Sequence, residues 1–349
     1  MYPRLFTIGS ITVYSFGLML GIGFFVASLV LHKETIRKNI SLDFSNELLI
    51  FLRTAYITVL CILVITYLIE SGMGKTGTAF DTGSLKAFAI PLALLGLGYV
   101  LFNKKSRSMV TADTSAFIVL LSIIAGISGS KLLYVLENMN ELARAPFETI
   151  FSPGGLTWYG GFFLVVISLY FFTRNKSIPF LQLCDASSPA LMIGYGISRL
   201  GCHLAGDGDY GMPTTLPWAT SYAKGTYPPS IAFKDFPEIV QKYGVNGVVP
   251  DTILVHPAPV YECIAGIALF FVLWKLRTKL SIPGQLFMMY LILAGSARLA
   301  VEFIRLNPRL LFGLSEAQLL SSVMILAGIV GFFYLKQSHL NLKRAVKSI

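Results

Sequence analysis

Apolar residues along this chain gather into nine blocks, near 11–31, 48–69, 86–102, 115–136, 158–173, 186–204, 259–274, 284–304 and 316–335, separated by polar or charged stretches. About 20 mostly apolar residues suffice for a helix to cross the ~30 Å hydrocarbon core of a bilayer. The pattern therefore predicts an all-α, polytopic integral membrane bundle. The first block follows "MYPRLFTIGS", has no small-residue cleavage site, and reads as a retained first span. The longest interruption, from about Ala205 to His256, is polar, aromatic and proline-containing, with "PTTLPWATSY" and "KYGVNGVVPDT". It is too long for a simple link and is expected to fold as a small head. No internal repeat is evident of the kind an inverted-repeat transporter usually carries.

Composition agrees with this pattern. The chain of 349 residues is 54% hydrophobic and 13% charged, with a mean hydropathy of +0.68; soluble domains carry about 25% charged residues. The net charge of +10 would suit a nucleic-acid binder, but the basic residues stand in short runs between the blocks, such as "HKETIRK", "NKKSRS" and "KLRTK". Such runs mark cytoplasmic loops and predict no nucleic-acid partner. With the N-terminus outside, the inside segments hold 15 Lys and Arg and the outside segments 8. That places the 205–256 head in the periplasm and the C-terminus in the cytoplasm. Cys61, Cys184, Cys202 and Cys263 lie in or beside apolar stretches without a close pair, so neither a disulfide framework nor a zinc site is expected.

Ionisable residues within or at the edge of the blocks include Arg53, Lys131, Asp185, Arg199, Glu262, Arg298 and Glu302. Each costs roughly 2.5–3.5 kcal/mol at a span centre, so such residues face protein or a wet cavity. Arg53 is near a span end and can snorkel. Lys131 follows small residues suited to close helix packing, and reads equally as a structural ion pair or a site wall. Arg199 precedes the glycine-rich "AGDGDYG", where a planar guanidinium can grip a phosphodiester; helix capping is the alternative. Asp185, fourteen residues before Arg199, is about 21 Å away along one helix, which excludes a pair between them. Arg298, Glu302 and Arg305 share a helical face, and an Arg298–Glu302 ion pair would account for two of the three charges. In "GGLTWYGG", Trp158 and Tyr159 fit either an interfacial aromatic belt or a ligand-facing turn. "DGDYG" lacks the further acidic ligands of a calcium loop, and no hydrolase elbow, P-loop or zincin signature appears. No metal or cofactor is expected.

Six ordered stretches, "LFTIGSITVYSFGLMLGIGF", "GISGSKLLYVLEN", "GGLTWYGG", "GISRLGCHLAGDGDYGMPT", "HPAPVYE" and "GSARLAVEFIR", together resemble the prolipoprotein diacylglyceryl transferase family. The resemblance implies a multi-pass enzyme of the bacterial inner membrane, with a seven-span core in a single membrane domain over 1–349, to which 53–110 would add two spans. It implies transfer of the diacylglyceryl group of phosphatidylglycerol to the lipobox cysteine of prolipoprotein signal peptides, by an enzyme expected to be a monomer. Arg199 matches the family arginine that contacts the phosphatidylglycerol headgroup, and Arg298 its second essential arginine. Within the matching stretches the candidate catalytic residues are Tyr159, Arg298 and Glu302, and the candidate substrate-binding residues are Arg199, Gly201, Cys202, Gly206, Gly211, Tyr261, Glu262 and Lys131.

Four positions depart from the family pattern. Tyr159 stands where the family's proposed catalytic histidine lies, and Cys202 replaces a frequent asparagine. Phe16 and Ala294 each replace a tyrosine. Tyrosine, with a pKa near 10, is a poor base, so Tyr159 is expected to orient substrate through its hydroxyl while the arginines supply most of the rate. The alternatives are a catalytically inactive lipid-binding relative, or a transporter using the same buried charges.

Overall fold

The computed structural model describes residues 1–8, 11–40, 114–151, 155, 157–305, 307, 309–311 and 313–347. The second and third apolar blocks, with Arg53 and the 53–110 region, lie outside these residues. In chain order the elements are strands β1 (Arg4–Ile8) and β2 (Ile11–Tyr14) and helices α1 (Ser15–Arg37), α2 (Thr114–Glu137), α3 (Met139–Arg144), α4 (Pro146–Phe151), α5 (Trp158–Asn175) and α6 (Phe180–Ala205). Next come β3 (Thr220–Ser221), α7 (Pro229–Ala232), α8 (Pro237–Tyr243), β4 (Leu254–Val255), α9 (Ala258–Leu276), α10 (Gln285–Glu302), β5 (Arg309–Leu311), β6 (Leu314–Ser315) and α11 (Glu316–Lys347). Long helices dominate, and α1, α2, α9, α10 and Glu316–Arg344 of α11 are long and apolar enough to cross a membrane. The protein is an all-α multi-pass membrane protein.

The first helix differs from its apolar block. The block begins near residue 11, whereas residues 4–14 form an antiparallel ribbon and the helix runs from Ser15 to Arg37. Thr7, Ile8, Ile11, Thr12 and Val13 are β-branched and favour extended backbone. At the other end, ion pairs make polar helical residues affordable at depth. Fully buried Glu34 meets Arg37 Nη2 and Arg277 Nη1, each at 2.6 Å, and the Arg277 guanidinium lies over the Trp274 ring.

By internal contacts the described chain forms two compact units, one of Met1–Asn39 with Pro179–Ile349 and one of Ile40–Ile178. In the first unit α6 packs on α1 and α9, and α10 packs on α11. Asp185, near the start of α6, pairs with Lys38 Nζ at 3.2 Å and accepts the backbone N–H groups of Gly284 and Phe287 at 2.9 Å. A carboxylate at the N-terminus of α10 satisfies orphan donors and complements the helix dipole. This contact also sets α6 and α10 side by side and parallel, so their C-terminal ends arrive together. Above α6, residues 205–256 carry their own core of Tyr210, Tyr222, Phe233, Val249 and Val255.

In the second unit α2 packs against α5. Gly129 and Gly160 abut so closely that a Cβ on either would overlap the other's carbonyl oxygen. Thr157 Oγ1 donates to the Ser130 carbonyl at 2.9 Å, fixing the start of α5.

Candidate active site

Arg199 lies on the last two turns of α6, which stops at Gly206. That residue adopts φ 62°, its N–H bonds the Cys202 carbonyl at 2.9 Å, and a Cβ there would lie 2.6 Å from Gly225 Cα. A left-handed cap with no room for a side chain calls for glycine. The chain turns back sharply after it. Asp207 Oδ1 accepts the Asp209 N–H at 3.3 Å, and the turn brings Asp209 over the helix it has just left.

Three guanidiniums and three carboxylates then interlock. Glu262, in the first turns of α9, is the hub: its carboxylate lies 3.3 Å from Arg199 Nε, 3.5 Å from Arg298 Nη1 and 3.4 Å from Arg305 Nη1. The Tyr195 hydroxyl donates to it at 2.8 Å. Arg298 also meets Glu302 Oε2 at 3.0 Å, one helical turn on. Glu302 in turn accepts from Asn307 Nδ2 and Ser315 Oγ, both at 2.6 Å. Asp209 bridges two cations, with one carboxylate oxygen on Arg199 Nη1 and the other 2.5 Å from Arg305 Nη2.

Exposure separates the three carboxylates. The Glu262 and Glu302 side chains are 1% exposed and Asp209 29%, so Asp209 sits at the accessible rim. Burial acts to raise the Asp209 carboxyl, but the guanidiniums of Arg305 and Arg199 outweigh it and hold the group below the usual carboxylate range. Asp207 shifts the other way: burial, and then the neighbouring Asp209 charge, push its carboxyl up.

A small backbone lattice holds the mouth. The Gly211 N–H donates to the His256 carbonyl at 2.9 Å, and the Met212 N–H to the Ile304 carbonyl at 2.8 Å. The strand segment is therefore clasped between the chains that lead into α9 and out of α10. A Cβ at Gly211 would lie 2.5 Å from the Ile304 carbonyl oxygen, a contact real Cβ atoms do not make. Tyr261 points to this mouth rather than to the arginines: its hydroxyl accepts from Trp218 Nε1 at 2.7 Å and lies 3.3 Å from His256 Nδ1. Burial lowers the pKa of His256, which favours its neutral form.

The structure thus gathers Arg199, Glu262, Arg298 and Glu302 into one cluster, with Cys202 Sγ 3.9 Å from Arg199 Nη1. Gly206 and Gly211 shape the turns around it. Gly201 instead faces α1, where a Cβ would lie 3.1 Å from Met19 Cβ. Lys131 and Tyr159 belong to the other compact unit. There Lys131 Nζ lies 5.0 Å from the centre of the Tyr134 ring, and Tyr159, 38% exposed, packs edge-on against Trp158. Arg305 and Asp209 were assigned no role from the sequence. Arg305 follows Arg298 by seven residues, but α10 ends at Glu302 and Arg305 lies beyond it in a bridge to Gly211, so helical spacing alone does not place it. Asp209 gave no signal either, because a turn after a helix end can point anywhere. Cys202, Asp207 and Asp209 bring ligand atoms within 4.8 Å of one another, but Arg199 and Arg305 beside them repel a cation.

Three guanidiniums and three carboxylates clustered at one end of a multi-pass helical bundle mark the class: a multi-pass membrane protein with a charged site. Comparison with known proteins narrows this. The family model for prolipoprotein diacylglyceryl transferase matches residues 78–334. The phosphatidylglycerol–prolipoprotein diacylglyceryl transferase of Clostridium tetani is 30% identical over 260 residues, covering 72% of this chain and 95% of that protein. The protein of the same name from Neisseria meningitidis is 32% identical over 265 residues, covering 70% and 90%. That of Leptospira interrogans is 26% identical over 311 residues, covering 74% and 90%. The chain belongs to the prolipoprotein diacylglyceryl transferase family, and is a transferase.

Proposed function

We propose that this chain carries out its family's reaction with the arginine cluster as the clamp on the phosphatidylglycerol phosphate. The reaction moves the diacylglyceryl group from phosphatidylglycerol to the lipobox cysteine of a prolipoprotein, the first step of lipoprotein maturation. One observation supports the clamp above the others: Arg199 and Arg305 already hold an oxyanion between them, the rim carboxylate of Asp209, with one oxygen on each guanidinium. A phosphodiester offers the same pair of oxygens and would take its place.

In this reading Arg199 grips the phosphate, and Arg298, fixed by Glu262 and Glu302, stabilises charge as the phosphate leaves. Glu262 holds the guanidiniums at fixed heights without being consumed. Such donors cost no reorganisation in the transition state, and each is worth roughly 2.7–4 kcal/mol in comparable sites. Cys202, Gly206, Gly211 and Tyr261 belong to the substrate mouth, and Lys131, from its place in a stretch that matches the family, is a substrate-binding residue as well. Tyr159 orients the thiol or the ester oxygen through its hydroxyl. The protein acts as a monomer in the bacterial inner membrane, with 205–256 as a periplasmic head.

Incubating the purified protein with phosphatidylglycerol and a lipobox peptide should add a diacylglyceryl mass to the peptide cysteine. An unmodified peptide at saturating lipid would refute the reading and favour an inactive lipid binder. In the same assay Tyr159→Phe should lower turnover by roughly tenfold to a thousandfold, and Tyr159→His should keep substantial activity. Full activity of Tyr159→Phe would return this residue to the aromatic belt. Orientation has its own test, motivated by the 15 to 8 division of basic residues. A single cysteine placed in the 205–256 head should react with an impermeant thiol reagent on intact cells. A cysteine in "NKKSRS" should not, and its labelling from outside would reverse the topology.

A further inference from the structure

The proposed reaction needs a base for the incoming thiol, and the family's histidine position holds a tyrosine. Four carboxylates surround the cluster. Glu262 and Glu302 face guanidiniums within ion-pair distance, which ties up their lone pairs, while Asp209 holds the seat that the phosphate takes and is repelled from it once the phosphate binds. Asp207 has no such ion pair among the described residues; it accepts the Asp209 N–H and a hydrogen bond from the Cys202 thiol. From its place in the turn after α6 we infer that Asp207 is the catalytic base that takes the proton from the lipobox thiol. This rests on the diacylglyceryl-transfer reading above.

Geometry supports the role. The carboxylate oxygens of Asp207 and Asp209 and the sulfur of Cys202 lie within 4.8 Å of one another. If the lipid phosphate takes the seat of the Asp209 carboxylate, Asp207 stands within that distance of it. The attacked glyceryl carbon is one bond from a phosphate oxygen, and a nucleophile must approach it to about 3–3.5 Å. A thiol there is within reach of Asp207. The nearby Cys202 sulfur demonstrates that an S–H group fits beside both this carboxylate and Arg199.

The step balances without any further reactant. The S–H proton passes to an Asp207 carboxylate oxygen, and the sulfur electron pair forms the C–S bond at the glyceryl carbon. The bond from that carbon to the phosphate oxygen breaks, and its electron pair leaves on glycerol phosphate. Asp207 then returns the proton to solvent. Charged and titratable groups facing Asp207 are Arg199 and Cys202 from α6, Asp209 in its own turn, and Tyr210 and Tyr222 from the head. Burial and Asp209 move the carboxyl toward the thiol's range, so the base form is lost only on acidification and the rate should fall on the acid side.

The test compares two nucleophiles. Asp207→Asn keeps an oxygen to accept the Asp209 N–H but cannot take a proton. With a cysteine lipobox peptide and phosphatidylglycerol it should lose about 10²–10⁴-fold in turnover, and the acid limb of the pH profile should vanish. A selenocysteine peptide, whose selenol is already ionised at neutral pH, should be modified by Asp207→Asn within about tenfold of the unmodified enzyme, a bound of ~1.4 kcal/mol. Asp207→Glu should retain the acid limb. An equal loss with both peptides, or near-normal turnover of the cysteine peptide, would overturn the assignment while leaving the transfer reaction standing. No adduct with either peptide from the unsubstituted protein would overturn the transfer reading and this role together.

Discussion

Replacing Arg199 by alanine is expected to lower the rate of peptide lipidation by roughly 10²–10³-fold in a protein that still folds. Arg199 touches Glu262 at 3.3 Å and bridges to Asp209, so its removal empties one side of the oxyanion seat. Glu262 keeps Arg298 and Arg305 as partners, at 3.5 and 3.4 Å, and is not left as an uncompensated buried charge. For that reason the loss should appear in turnover rather than in folding. Arg298→Ala should cost a similar factor, but it also frees Glu302, whose hydrogen-bond donors Asn307 and Ser315 are uncharged. Arg199→Lys should rescue only in part, because an ammonium is a point charge and cannot reproduce two parallel N–H bonds. The check is kcat/KM for phosphatidylglycerol on protein whose unfolding midpoint in detergent is unchanged. Near-normal turnover in folded Arg199→Ala would end the headgroup assignment.

Glu262→Ala should damage both stability and activity. This carboxylate is 1% exposed, meets three guanidiniums and accepts the Tyr195 hydroxyl, so its loss leaves mutually repelling cations around an empty space. Breaking buried ion pairs by removing one partner costs about 3–5 kcal/mol, most of it from the charge left behind. A clear fall in the thermal midpoint in detergent, together with loss of phosphatidylglycerol binding, is the expected pair of results. Glu262→Gln should be milder, since it keeps an acceptor for Tyr195 and nearly the same volume. If Glu262→Ala unfolded at the same temperature as the unsubstituted protein, the hub role would be wrong.

Different parts of this molecule were legible in the chain to different degrees. Apolar length alone located the described long helices, because a helix in lipid must satisfy its own backbone and present apolar side chains along its whole length. Where local chemistry competed, it failed: residues 11–14 are apolar enough for a span, yet pair as a strand with 4–8. The Arg298–Glu302 pair was readable because both ends lie on one helix, four residues apart. The partners of Asp185 were not, since Lys38, Gly284 and Phe287 come from other segments.

The sequence by itself determined the class of protein, its family and the presence of costly charges inside the membrane blocks. Charged residues within long apolar blocks are visible in the sequence pattern, and six motifs in order are specific without a structure. Only the tertiary structure decided which charges meet. Arg199, Glu262, Arg298 and Arg305 come from three chain segments and converge because the Asp185 contact sets α6 and α10 in parallel, with α9 entering beside them. Asp209 and Asp207 join them through the turn at Gly206, whose left-handed backbone reverses the chain. Spacing along a sequence carries distance within a helix at 1.5 Å per residue, but a reversal aims its side chains through torsion angles and packing that spacing does not encode.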